Sequence, residues 1–137
     1  MFRWDEVFSC KIARFDEQHR QLFSLANALL DTIKSDRDAD HYDEIIAALY
    51  ALKEYTIHHF QAEESLMEHY GYPKLMSHRM QHKRFLAKVQ EMLDRDMDQN
   101  QAEVSMELLA FLADWIQKHI MEVDSQYGTF LNDKGIY

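Results

Sequence analysis

Glycine and proline are almost absent from this chain, which has three glycines and one proline in 137 residues. A fold with many strands needs these residues at its turns, so their scarcity argues against an all-β structure and favours long helices. At this length a single domain can bury about two-thirds of its unfolded surface. We therefore expect one domain over residues 1–137 that folds without disulfides.

Apolar residues recur at steps of three and four along four segments, which predicts an all-α, antiparallel up-down-up-down four-helix bundle with an N-terminal arm. The second segment shows the pattern clearly, with Ile45, Leu49 and Leu52 on one face, and the run Gly71-Tyr72-Pro73 marks its end. Asp16 is the predicted N-cap of the first helix. The predicted helices cover approximately residues 17–34, 41–70, 74–97 and 101–125.

Charge and hydropathy limit the partners of the protein. The net charge of −9 at pH 7 and the isoelectric point near 5.3 argue against nucleic acid and anionic membranes. The longest apolar stretch, residues 108–116, is too short to span a bilayer. The first ten residues carry charges where a signal peptide has an apolar core, and the single cysteine, Cys10, allows no internal disulfide. We therefore expect a cytoplasmic protein and assign no chemistry to Cys10.

Polar side chains occupy positions on the apolar faces of all four predicted helices. They are His19, His59, Glu63, His78, His82 and His119. Burying an imidazole or a carboxylate costs on the order of several kcal/mol unless the group is paired or binds a metal. Residues four apart project in nearly the same direction, so His59 pairs with Glu63. The same spacing predicts a metal site inside the bundle, because every helix contributes a ligand.

Each of these signals is weak when it is taken alone. A single His-x-x-x-His pair is common on helix surfaces, and a lone histidine on an apolar face is more often a hydrogen-bonded core residue. The convergence of such residues from four helices favours the metal site. A structural zinc site is an alternative, although the ligand set is larger than a closed tetrahedral site requires.

Four motifs follow one another in a characteristic order. They are Asp-Glu-Gln-His at 16–19, His-Phe-x-x-Glu-Glu at 59–64, His-x-x-x-His at 78–82 and His-Ile-x-x-x-Asp at 119–124. From Trp4 to Tyr127 the chain resembles a hemerythrin domain, specifically the bacterial single-domain form. One position departs from the family, which commonly has Val-Gly in the arm where this chain has Cys10-Lys11. The shape of that loop is therefore left open.

The resemblance implies a cofactor of two non-haem irons joined by an oxide or hydroxide bridge. The metal ligands that it implies are His19, His59, Glu63, His78, His82, His119 and Asp124. The apolar pocket for dioxygen that it implies is lined by Leu22, Phe60, Met67, Trp115 and Ile120. Asp124 is included on the resemblance alone, because on an ideal helix it points about 140° away from His119. It could reach the site only if the end of the helix is distorted or if the two metals lie in different directions from the helix axis.

The resemblance also implies the function. A hemerythrin domain would bind dioxygen reversibly, for carriage, storage or delivery, and would have no catalytic residues. Weak oxidase or peroxidase side activity stays open. Two alternatives also stay open: a diiron enzyme that reduces peroxide or nitric oxide, and an oxygen or redox sensor that acts through a partner. The sequence leaves undecided whether a protein accepts the dioxygen and how many chains associate.

Overall fold

Helices make up the regular structure of the computed structural model, and no strand occurs in the part of the chain that it describes. The structure describes the backbone of residues 2–34, 42–94 and 97–137. It describes the side chains of the same residues, except those of residues 42 and 97–105. The elements are a 3-10 turn at Glu6–Phe8, α1 at Ala13–Lys34, α2 at Tyr42–His69, α3 at Leu75–Leu93, α4 at Met97–His119, a π-helical turn at Ile120–Asp124 and α5 at Ser125–Asp133.

The four long helices form the predicted up-down-up-down bundle. Helix α1 packs against α2 and α4, and α3 packs against the same two helices, so the four form a ring. Between α2 and α3 the backbone turns at Gly71, whose φ of 70° lies in the left-handed region. There the amide of Tyr72 donates to the carbonyl of Met67 at 2.9 Å, closing the helix end. None of the described helices is both long and apolar enough to cross a bilayer.

The predicted boundaries of the third and fourth helices were wrong. Helix α3 ends at Leu93 rather than at residue 97, and α4 begins at Met97 rather than at 101. The α-helical part of α4 stops at His119, and a π-helical turn and α5 follow it. No glycine or proline marks these ends, and apolar periodicity does not locate them. The predicted start of the second helix, residue 41, lies outside the described residues.

The sequence predicts that Asp16 caps α1, and this prediction was wrong, because α1 begins earlier, at Ala13. Its carboxylate instead turns back towards the arm. The Oδ1 atom accepts a hydrogen bond from the amide of Cys10 at 2.8 Å, and Oδ2 accepts one from the hydroxyl of Ser9 at 2.5 Å. Asp16 therefore anchors the N-terminal arm to the first turn of α1.

Two apolar clusters lie on either side of a polar layer in the bundle. The larger cluster includes Leu29, Leu49, Phe60, Met92 and Leu108. The smaller cluster includes Cys10, Phe15, Met67, Tyr127 and Leu131. Phe60 stacks on His82 with ring centroids 3.6 Å apart, and Tyr127 contacts His78 at 5.4 Å. The polar layer is thus covered by apolar packing on both sides.

Candidate metal centre

Five histidines and two carboxylates meet in the polar layer at one end of the bundle. The histidines lie in the first halves of α1 and α3 and in the second halves of α2 and α4, and antiparallel packing brings these halves together. The buried set is His19, His59, Glu63, His78, His82, His119 and Asp124. Two of the remaining histidines, His58 and His69, are exposed, and His41 lies outside the described residues.

The seven side chains form two groups that share Asp124. The three-histidine group is His78, His82, His119 and Asp124, and the two-histidine group is His19, His59, Glu63 and Asp124. Within each group, the potential ligand atoms all lie within 4.8 Å of one another. The structure thus brings together every side chain that the resemblance names as a ligand.

Asp124 stands between the two groups. Its Oδ2 atom is 3.0 Å from Nε2 of His19, in the two-histidine group. Its Oδ1 atom is 3.1 Å from Nε2 of His78 and 3.0 Å from Nε2 of His119, in the three-histidine group. The two oxygens therefore face different groups, which is the arrangement of a carboxylate that could bridge two ions.

Glu63 also lies between the groups. Its Oε1 atom is 2.6 Å from Nε2 of His59 and 4.0 Å from Nε2 of His82, and its Oε2 atom is 4.0 Å from Nε2 of His78. The close approach to His59 follows from the four-residue spacing on α2. The longer distances to α3 depend on how the two helices pack.

A π-helical turn brings Asp124 into the centre. The amide of Ser125 donates to the carbonyl of Ile120, five residues earlier, and the wider turn contains more residues than an α-helical one. The fifth residue after His119 therefore comes back towards the same face. The end of the helix is therefore distorted in a way that lets Asp124 reach the site, and no residue in this stretch signals the change of helical period.

Unsatisfied polar atoms show that the site fits metal ions. Both oxygens of Glu63 and of Asp124, and both ring nitrogens of His19 and His78, are buried without a hydrogen-bond partner in the described part of the chain. Leaving such a group unpaired costs about 1–3 kcal/mol. Two donors that bind one metal at right angles, each at roughly 2.1 Å, lie about 3 Å apart. The contacts of Asp124, at 3.0–3.1 Å, match this spacing.

The electrostatics of the layer keep both carboxylates ionised. Complete burial by itself raises the pKa of Asp124, but the neighbouring His119, His19 and His78 bring it well below its ordinary value. Burial and the charge of Asp124 raise the pKa of Glu63. The contact with His59 has a larger effect in the opposite direction, so the pKa of Glu63 ends below its ordinary value. Ionised carboxylates beside imidazole nitrogens are a donor set that suits iron and zinc.

A small, largely apolar cavity of about 10 Å³ borders both groups of the centre: His19 and His59 of the two-histidine group, His119 of the three-histidine group, and the shared Asp124. Four of the five predicted pocket residues line it, and Thr56, Phe85 and Ile116 complete the wall. The four are Leu22, Phe60, Trp115 and Ile120. Met67 lies elsewhere, in the smaller apolar cluster. Sequence reasoning missed the three added residues because cavity lining depends on contacts between helices.

Residues 10–131 match the family model of the hemerythrin HHE cation binding domain. The chain belongs to the hemerythrin family. It is similar to a bacteriohemerythrin of Clostridium acetobutylicum, with 36% identity over 127 residues that cover 93% of this chain and 98% of that protein. A bacteriohemerythrin of Methylococcus capsulatus is 30% identical over 125 residues, which cover 91% of this chain and 92% of that protein.

The fold agrees with that of solved hemerythrins. A crystal structure of wild-type hemerythrin superposes with a TM-score of 0.81 at 29% identity and covers 94% of this chain and 96% of that one. The predicted family and fold class are thus confirmed. Membership of the hemerythrin family, with this histidine and carboxylate cluster, supports iron-based binding of dioxygen in general.

Outer hydrogen bonds orient two of the histidines in this hemerythrin site. Nδ1 of His59 donates to Oε1 of Gln18 at 2.6 Å, and Nδ1 of His119 donates to Oε1 of Gln81 at 3.2 Å. Since Nδ1 carries the proton, Nε2 of each ring is free to face the centre. Sequence reasoning did not assign roles to the two glutamines. Gln18 could have been noticed, because it lies in the motif Asp-Glu-Gln-His.

Tyr127 is a further residue of the hemerythrin site that sequence reasoning did not single out. It is fully buried, and its hydroxyl donates to Sγ of Cys10 at 3.8 Å. Burial raises the pKa of this phenol well above 10, and the charges of Glu63 and Asp124 raise it further. Tyr127 therefore stays protonated and covers the side of the centre that faces the arm.

Proposed function

We propose that this protein binds dioxygen reversibly at a pair of non-haem irons, for carriage, storage or delivery. The observation that carries the proposal is the position of Asp124, whose two oxygens face different groups of histidines at 3.0–3.1 Å. A site for one ion would need no carboxylate between two groups of donors. The family match supports iron as the metal.

The seven side chains would divide between the two irons. His78, His82 and His119 would hold one iron, His19 and His59 would hold the other, and Glu63 and Asp124 would contact both. Two irons held in this way would supply the electrons for reversible binding of dioxygen. The two-histidine group offers one imidazole fewer, so we expect the position for the small molecule on that side.

The cavity, which borders His19 and His59 on one side and His119 on the other, suits a small neutral ligand. Leu22, Phe60 and Ile120 make its wall apolar, which disfavours water and ions. The hydroxyl of Thr56 donates to the carbonyl of Leu52 at 2.6 Å, so its proton is already engaged. A volume of about 10 Å³ is close to the least space that a single water-sized molecule needs, so the cavity excludes larger organic substrates.

An anaerobic absorption spectrum, recorded before and after air is admitted, tests the proposal when iron is counted per chain. We expect two irons per chain, new visible bands in air, and loss of these bands when dioxygen is removed under argon. Repeated cycles without bleaching would establish that binding is reversible.

Two results would contradict the proposal. One is a chain that retains about one zinc ion and no iron, which would indicate a structural bundle. The other is sustained consumption of peroxide or nitric oxide, with a reductant present and no stable dioxygen-bound spectrum. That result would favour an enzyme in place of a carrier.

A further inference from the structure

Glu64 faces the outer nitrogen of one histidine of the centre. Its Oε2 atom is 3.4 Å from Nδ1 of His82. His82 is only 2% exposed, and its Nδ1 has no hydrogen-bond partner within the described ranges. The opposite nitrogen, Nε2, lies 3.2 Å from Nε2 of His119, in the three-histidine group. The Glu64 carboxylate is therefore the acceptor towards which the outer N–H of this ring points.

Arg79 holds Glu64 in this position. Its Nε atom donates to Oε1 of Glu64 at 2.9 Å, which leaves Oε2 for His82. The Glu64 side chain is 19% exposed, so water screens its charge less than that of a fully exposed acid. The Nη2 atom of Arg79 also approaches Oε2 of Glu68, at 3.6 Å, and the side chain of Glu68 is 71% exposed.

The other outer partners that accept a hydrogen bond from a histidine of the centre, among the described residues, carry no charge, and the carboxylate of Asp16 comes only within 4.8 Å of a ring nitrogen of His19. His59 donates to Gln18 and His119 donates to Gln81, and both acceptors are side-chain amides. An anionic acceptor on the outer nitrogen raises the basicity of an imidazole more than an amide does, and a more basic ring is a stronger donor to a metal. Among the described contacts, the carboxylate nearest to an outer ring nitrogen, that of Glu64, is thus on the three-histidine side of the centre.

We propose that Glu64 is a positioning residue that orients His82 and strengthens its donation to the metal of the three-histidine group, while Arg79 limits this effect by sharing the charge. Stronger donation favours the ferric state, so Glu64 lowers the reduction potential on that side. The identity of the metal rests on the proposed function. The effect on metal affinity does not, because it concerns any divalent ion that the group binds.

Substitution of Glu64 by glutamine separates charge from shape, because the amide keeps an acceptor of the same size. We expect the apo-protein of Glu64→Gln to bind Co²⁺ about ten-fold more weakly than the unmodified apo-protein. Titration with Co²⁺, monitored by visible absorption, measures this affinity. In the iron-loaded protein we expect a higher reduction potential, measured by spectroelectrochemistry. In Arg79→Gln we expect a lower potential, because the carboxylate then shares its charge with His82 alone.

Glu68→Gln is the matched control. It removes the same charge and the same kind of contact with Arg79, but Glu68 has no contact with a histidine among those described. We expect its Co²⁺ affinity and its reduction potential to equal those of the unmodified protein. Conversely, Gln81→Glu places a carboxylate beside His119, and we expect it to lower the potential.

Equal shifts in Glu64→Gln and Glu68→Gln would overturn the inference, because they would show a general effect of surface charge. No shift in Glu64→Gln would overturn it as well. If Co²⁺ affinity falls as expected but the iron-loaded protein binds no dioxygen, the proposed function fails and the inference stands. If dioxygen binds reversibly and Glu64→Gln changes neither measurement, only the inference fails.

Discussion

Gly128 is where α5 touches the N-terminal arm, and the contact is between backbones. A Cβ atom there would lie 1.9 Å from the carbonyl oxygen of Cys10, which cannot rotate away. We expect Gly128→Ala to lower the free energy of unfolding by about 1–3 kcal/mol, measured in denaturant, because the arm has to move. Thr129→Ala, at the exposed neighbouring position, is the control. Equal losses in the two variants would contradict this explanation.

Lys11 adopts a backbone conformation that favours glycine. Its φ of 65° is left-handed, so the loop keeps this conformation although the family's usual glycine is absent. An L-residue in this region costs about 1–2 kcal/mol, and the greater freedom of unfolded glycine offsets part of the gain. We expect Lys11→Gly to stabilise the protein by roughly 0.5–1 kcal/mol in chemical denaturation. Lys11→Ala should give no gain, since it keeps the Cβ atom.

Trp115 closes the apolar cavity on the side of α4. Its ring stacks on His119 at 4.3 Å and on Phe85 at 4.1 Å. We expect Trp115→Ala to shorten the lifetime of the dioxygen-bound protein in air several-fold, because water and protons then reach the site. The decay of the visible bands measures this lifetime. Trp4→Ala removes a similar side chain from the arm, and a similar loss there would argue against a specific role for Trp115.

The π-helical turn is the irregular element on which the centre depends. It places Asp124 beside His119, and its hydrogen bonds are less favourable than those of an α-helix. A metal bound to Asp124 would hold the turn in place. We expect the amides of Ile120–Asp124 to exchange hydrogen faster in the apo-protein than in the metal-loaded protein, by mass spectrometry. Equal protection in both forms would show that the turn is stable without metal.

Proton binding links the stability of the whole molecule to pH. Burial lowers the pKa of His19 and of His119, but the effect of Asp124 in the opposite direction is larger. The pKa of each ring therefore ends above 6.5. A group with a raised pKa in the folded state stabilises the fold below its unfolded pKa, and this stabilisation is lost as the pH rises through the folded pKa. We therefore expect the melting temperature of the apo-protein to fall as the pH rises above 6.5.

The metal-loaded protein should respond in the opposite direction. Metal and protons compete for the same imidazoles, so higher pH favours the metal and stabilises the fold. Burial lowers the pKa of His82, so this ring affects the stability of the apo-protein only below pH 6.5, where its protonation destabilises the folded state. Calorimetry of both forms between neutral and alkaline pH measures the two slopes. A slope of the same sign in both forms would contradict the assignment of these rings as ligands.

The local periodicity of the sequence determined the number of long helices, their apolar faces and the pairing of side chains on each helix. The steps of three and four predict four helices and their apolar faces, because a regular helix fixes the direction of each side chain from its place in the sequence. For the same reason the sequence pairs His59 with Glu63, and His78 with His82. The break at Gly71 is also readable, since glycine takes the left-handed conformation at little cost. That the converging side chains bind iron is still a prediction.

Only the tertiary structure decided the features that depend on irregular backbone or on contacts between elements. Asp124 reaches the centre through a change of helical period that no residue announces. Asp16 binds the arm instead of capping α1, and Met67 packs beside Tyr127 while Thr56 lines the cavity. Spacing gives direction around one helix axis. Distances across the bundle arise from the packing of all the helices together, which no single segment of the sequence contains.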